Sequence, residues 1–223
     1  MCGRFAFSPF AKIIEERFHV LIDESEYKPR YNSAPGQDLA VILNNEQGKL
    51  SFCRWGLIPF WSKDSKIGFS LINARAETIK EKPAFKSPFH RKRCLVPADS
   101  FYEWKVINNK KTPYRIFLKD EPLFSMAGIW DSWNDKEGNT ITSFTIITTE
   151  ANSFMRKIHD RMPVILKRDD EAIWLGNNNV DALSSLLKKY PSELMGAYEI
   201  SERVNNPRND DEKVIQSLNK KPL

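Results

Sequence analysis

The sequence predicts an α+β fold: one domain over residues 1–223, built on a mostly antiparallel, barrel-like β-sheet with peripheral helices. Three observations predict it. Short apolar runs of strand type fill residues 39–149 and are bounded by turn residues. Connections such as "NNKK" and "NDKEGN" suit antiparallel neighbours, because parallel strands need a much longer crossover. The helical candidates fall before and after that block, where they can cover the sheet.

Taken in order, Ser8-Pro9 reads as a helix cap with proline in the first turn. Phe10, Ile13, Ile14 and Phe18 then recur at helical spacing. "LAVILN" and "KLSFCRW" flank the turn "NEQG" and read as a hairpin. "RCLVP", "FYEWKVI", "PYRIFL", "LFSMAGIW" and "TSFTIITT" supply further strands. Later helices are expected at 151–157, 169–175, 180–189 and 210–218. No internal repeat, low-complexity tract or flexible linker separates these elements.

Composition excludes several classes. No apolar run approaches the roughly 20 residues needed to span a bilayer. The N-terminus lacks a basic-then-apolar export pattern, so a cytoplasmic protein without membrane contact is expected. Cys2, Cys53 and Cys94 are an odd number, far apart and without a CxxC pair. That spacing argues against a disulfide framework and against a metal site. The net charge of +5 permits nucleic-acid binding. "FKSPFHRKR" (85–93) concentrates basic residues between two phenylalanines. It suits phosphates and unstacked bases, but by itself it reads first as a solvated loop whose phenylalanines enter the core.

Cys2 directly follows the initiator methionine, outside any apolar run. Once Met1 is trimmed, one residue carries both a thiol and an α-amine. His159, in "MRKIHDRMPVIL", stands where a helix gives way to a strand and either faces a cleft or bonds Asp160 or a loop carbonyl. Glu103 alternates with Tyr102 and Trp104 in "SFYEWK", which puts Phe101, Glu103 and Lys105 on one face. Aromatic surroundings suit a general acid, while pairing with Lys105 would make Glu103 structural. In "LINARAET", Asn73 and Arg75 are two apart with Glu77 in the same phase. They suit a sugar hydroxyl and a phosphate, or else a cap that opens a short helix.

In chain order, "MCGRF", "RYNSAPG", "RWGLIPFW", "LINARAET", "RCLVPADSFYEW", "IHDRMPVIL" and "SERVNNPRND" closely resemble the SRAP (SOS response-associated peptidase) family. Each motif alone is weak; their joint order is specific. The resemblance implies that Met1 is removed and that Cys2 reacts with abasic sites in single-stranded DNA. It implies that Asn73 holds the reacting sugar, that Glu103 is the catalytic glutamate, and that His159 is the histidine of the "HDR" motif. Arg4, Arg75 and Arg161 fall where the family places arginines near DNA phosphates, and Trp104 is assigned to the same DNA-binding surface. Two departures are visible: Asp99-Ser100, where many members carry a small residue and glycine, and Phe60, where glycine is frequent.

The expected partner is therefore single-stranded DNA containing abasic sites, bound by a monomer that needs no metal or organic cofactor. The α-amine, with a reference pKa of about 8, forms a Schiff base with the open sugar aldehyde. The adjacent thiol then closes a thiazolidine, an intramolecular step favoured by proximity. A second reading is a cysteine peptidase with Cys2 as nucleophile and His159 as base, which removes Met1 itself. A third is a module that only binds single strands.

Overall fold

The computed structural model describes residues 2–176 and 179–218. In chain order the strands are β1 (Phe5–Phe7), β2 (Arg30–Ser33), β3 (Asp38–Leu43), β4 (Ser51–Trp55), β5 (Asn73–Arg75), β6 (Arg93–Ala98), β7 (Ser100–Ile107), β8 (Lys110–Leu118), β9 (Phe124–Asn134), β10 (Thr140–Glu150), β11 (Arg161–Pro163), β12 (Ile165–Leu166) and β13 (Met195–Glu199). The helices are α1 (Ala11–Phe18), α2 (Pro83–Arg91), α3 (Arg168–Gly176) and α4 (Val180–Ser185), with short 3-10 turns between elements.

The architecture is α+β, as the sequence predicts. The pairings β3–β4, β4–β10, β10–β9, β9–β6 and β6–β3 return to their starting strand and close a five-stranded barrel. β10 runs parallel to β4 and β5; the other ladders are antiparallel. Closure removes the exposed edges that an open sheet would present. The expected turns do their work here. Asn108 and Asn109 take positive φ (48° and 61°) and join Ile107 to Lys110 in the β7–β8 hairpin.

A second sheet, ordered β13-β8-β7-β1-β2, lies beside the barrel. Both of its faces are covered. Phe5, Phe7 and Phe101 belong to the main core with the barrel residues, whereas Ala6 and Tyr102 pack in a smaller cluster with Ile200, Val204 and Val214. This two-sided burial explains why β1 is apolar at all three positions.

Five local expectations are corrected. The first helix is preceded by Phe10 with no side-chain cap; Ser8 instead donates its N–H and hydroxyl to Asp99 Oδ2, each at 2.8 Å. Arg115 also pairs with Asp99 (3.0 Å), so Asp99 ties β8 to the N-terminal segment at the start of β7. The basic stretch from Phe85 is not a loop: it forms α2 and enters β6. Phe85 and Phe89 enter the core, and the buried Arg93 guanidinium donates to the carbonyls of Phe89, His90 and Trp174, closing the helix end.

The other three concern helix length. Residues 151–157 and 210–218 contain only 3-10 turns, Met155–Lys157 and Glu212–Ile215. In the first, the side chain of Asn152 accepts the Met155 N–H and Ala151 N–H turns to the Asp160 carbonyl. In the second, Ser217 bridges to Ile200. The expected 180–189 helix stops at Ser185, after which the chain turns to bury Tyr190. Expected helix 169–175 is α3.

Candidate functional site

Four side chains far apart in sequence meet where the two sheets join. β1 lies antiparallel to β7, with Phe5 opposite Phe101 and the Tyr102 N–H donating to the Arg4 carbonyl (2.9 Å). Extending that register outward sets Cys2 near Glu103, whose charge acts on the Cys2 thiol. Asn73 opens β5, opposite Ile146 of β10. Its Nδ2 donates to the Cys2 carbonyl oxygen (2.9 Å), while its Oδ1 is buried with no hydrogen-bond partner among the described residues. His159 stands ahead of β11, with Nε2 3.9 Å from Glu103 Oε2.

The seat is dry and polar. Cys2 is 0% exposed and Glu103 2%. Burial first, and the Glu103 charge second, push the Cys2 thiol well above its ordinary range; its Sγ lies 3.9 Å from the Arg4 carbonyl. Burial likewise raises the Glu103 carboxyl, with His159 acting in the opposite direction. Burial favours the protonated form of both groups, and such a pair suits proton transfer better than a preformed thiolate.

The arginines divide. Arg75 is exposed on β5, two residues from Asn73, with no ion pair among the described residues. Arg161 instead grips both oxygens of Glu77 (2.8 and 2.9 Å) and the Thr148 carbonyl (2.8 Å). Its hydrogen bonds hold the Glu77 carboxyl below the usual range. Arg4 donates to Asn32 Oδ1 (2.9 Å) and to the carbonyls of Val204 and Asn205. Trp104 lies on the face of β7 opposite Glu103, with Nε1 donating to Asn205 Oδ1 (2.8 Å). So the structure gathers Cys2, Asn73, Glu103 and His159, leaves Arg75 open to solvent, and commits Arg4, Arg161 and Trp104 to internal partners.

Exposed aromatics flank Asn73. Leu57 N–H donates to Leu71 O (3.2 Å), and Gly56 (φ 122°) lies so close to Gly68 that a Cβ would meet the Gly68 carbonyl at 2.6 Å. This contact zips the loop bearing Phe60 and Trp61 to the segment bearing Phe69, which is 70% exposed and covers Gly36. The sequence reading passed over Asn32, a fully buried hub whose amide donates to the carbonyls of Val204, Asn206 and Asn209. The only sequence signal was an asparagine inside the apolar, turn-like "RYNSAPG".

The family profile described as SOS response associated peptidase (SRAP) matches residues 1–207. This chain belongs to that family. It is 50% identical to the abasic site processing protein YoqW of Bacillus subtilis (strain 168), covering 97% of this chain and all of that one. It is 35% identical to the abasic site processing protein HMCES of Xenopus tropicalis, over 84% of this chain and 66% of that protein. Among solved structures, a Bacteroides thetaiotaomicron protein superposes with a TM-score of 0.89 at 34% identity, covering 97% of this chain and 99% of its own. No described helix is long and apolar enough to cross a membrane.

Proposed function

We propose that the protein processes abasic sites by forming a covalent bond to single-stranded DNA through Cys2, after loss of Met1. The observation that carries this reading is the contact of Asn73 Nδ2 with the Cys2 backbone, beside Glu103 and His159. The reaction acts on the backbone amine as well as the side chain of Cys2, so a device that grips the Cys2 main chain is what it requires.

The steps balance. The Cys2 amine adds to the open sugar aldehyde and loses water, giving an imine. The thiol then adds to the imine carbon: an S–C bond forms and the nitrogen gains the proton that sulfur loses. Glu103, whose protonated form burial favours, delivers a proton to the sugar ring oxygen as the anomeric hydroxyl gives up its own and the ring opens, and His159 moves protons during loss of water. The unpaired Asn73 Oδ1 accepts a sugar hydroxyl. Arg75 and the exposed Phe60, Trp61 and Phe69 provide a cation for phosphate and faces for unstacked bases. The raised thiol favours attack by the amine first, and it disfavours the peptidase reading, which needs a ready thiolate.

The test incubates protein whose intact mass shows Met1 absent with abasic single-stranded DNA, and separately with a peptide library. A denaturant-resistant adduct is expected. Peptide turnover without an adduct would overturn the reading.

A further inference from the structure

We propose that Glu77 is a positioning residue for His159, acting through Arg161 to keep the imidazole proton on Nε2, facing Glu103. Only the kinetic consequence rests on the covalent reading above; the tautomer stands by itself.

The Arg161 guanidinium is held from two separate elements. Glu77 supplies both carboxylate oxygens, at 2.8 and 2.9 Å, from the 3-10 turn Ala76–Thr78 that follows β5. Thr148 supplies its carbonyl, at 2.8 Å, from β10. Two parallel N–H···O bonds fix the plane of the guanidinium as well as its position. The side chain is thereby anchored at the start of β11, where Arg161 pairs with Glu150. Its backbone N–H donates to His159 Nδ1 at 3.0 Å.

A ring nitrogen that accepts a hydrogen bond carries no proton. In the neutral imidazole the proton therefore sits on Nε2, on the side of Glu103 Oε2. A second contact opposes this arrangement. Asp160 Oδ1 lies 2.9 Å from the same Nδ1, and a carboxylate there favours Nδ1–H. The two contacts demand opposite tautomers, so one must give way. Asp160 is mostly solvated, its side chain 87% exposed, whereas the Arg161 amide belongs to a peptide whose carbonyl accepts from Ala151 N–H (2.9 Å), and the Arg161 side chain is anchored by Glu77 and Thr148. Among the described residues, the groups facing the imidazole are Glu103 at Nε2, with the Arg161 amide and Asp160 at Nδ1. Without Glu77, Arg161 keeps its Thr148 contacts and its place beside Glu150, but the start of β11 loses one anchor, and Asp160 competes better for Nδ1–H.

A rival use for Arg161 is phosphate binding, with Glu77 as a placeholder that DNA displaces. The two make opposite forecasts for Glu77→Gln. The experiment labels histidine with ¹⁵N in the processed, DNA-free protein; only three histidines need assignment, by His159→Gln among others. Long-range N–H couplings are expected to show Nε2–H in the unmodified chain, a rise of Nδ1–H in Glu77→Gln, and a return toward Nε2–H in Glu77→Gln/Asp160→Asn. Single-turnover crosslinking should fall about tenfold in Glu77→Gln, a fraction of the hundredfold or more that a general acid–base group supplies. It should recover in the double variant, with DNA affinity unchanged. An Nδ1–H ring in the unmodified chain, a tautomer ratio indifferent to Glu77→Gln, or tighter DNA binding with a steeper salt dependence would each overturn the proposal. A shifted tautomer with an unchanged crosslinking rate would uphold the relay and remove His159 from the proposed reaction.

Discussion

Cys94 in the barrel wall and Cys2 at the junction of the sheets are both fully buried thiols, and burial raises the pKa of each. Their neighbours differ. Cys94, on β6, stands against Gly128, where a Cβ would come within 2.7 Å of its sulfur, and near Val96. It fills space. Cys2 has Glu103 beside its thiol and the Asn73 amide on its carbonyl. Burial alone makes a thiol inert. Buried partners that can donate, accept and carry protons make the second site a candidate for chemistry.

That contrast can be broken most sharply at sulfur itself. Cys2→Ala should abolish the stable adduct with abasic DNA while keeping non-covalent binding, as read on a denaturing gel and by fluorescence anisotropy. A stable adduct from Cys2→Ala without a reductant would dismiss the thiazolidine.

Next in size is Glu103→Gln. We expect crosslinking to slow by about a hundredfold or more, the usual range of a general acid, with little change in affinity. Stability should move the other way. A carboxyl raised by burial holds its proton in the folded chain at pH values where the unfolded chain has released it. Folded-state stability therefore falls as pH rises from the ordinary carboxylate range through the raised value. Glutamine removes that loss, so the melting temperature at neutral pH should stay level or rise. A near-normal rate with a lowered melting temperature would make Glu103 structural.

Arg75→Ala should weaken DNA binding several-fold and reduce the log–log salt slope by roughly 0.7, one phosphate contact on a single strand. Arg161→Ala, by contrast, should leave that slope unchanged, because its guanidinium is occupied by Glu77 and Thr148. The smallest effect belongs to the barrel. Cys94→Ala should leave the adduct intact and lower stability by about 1–2 kcal/mol, the loss of a small buried group, measured by urea denaturation.

Much of the frame is legible in the sequence because its strands are short apolar runs and its turns carry Asn and Gly at the required positions. The short strands β1, β2, β5 and β13 escape notice, being only three to five residues long and paired with distant partners. Local pattern has no access to such pairings. The same reason separates the site residues from their company. Glu103 is readable as a strand residue, but its burial depends on Cys2 and His159 arriving from elsewhere. Arg161 is readable as a cation, yet its commitment to Glu77 depends on β5 and β11 both lying along β10. The 151–157 and 210–218 segments have helical spacing but spend their polar groups on tertiary contacts instead.

The Arg4 contacts to Val204 and Asn205, and those of Asn32 to residues up to Asn209, join segments about two hundred positions apart. On a ribosome adding roughly 5–20 residues per second, some 10–40 s separate synthesis of Cys2 from synthesis of the loop that Arg4 holds. During that interval β1 lacks one of its two covering faces, and the Cys2 seat cannot be complete. Removal of Met1, which the covalent reading requires, therefore has a period in which an aminopeptidase meets an unfolded N-terminus rather than a buried one. Chain growth itself becomes the timer: the thiol is sealed into its seat only when residues 201–210 close over the arginine that follows it.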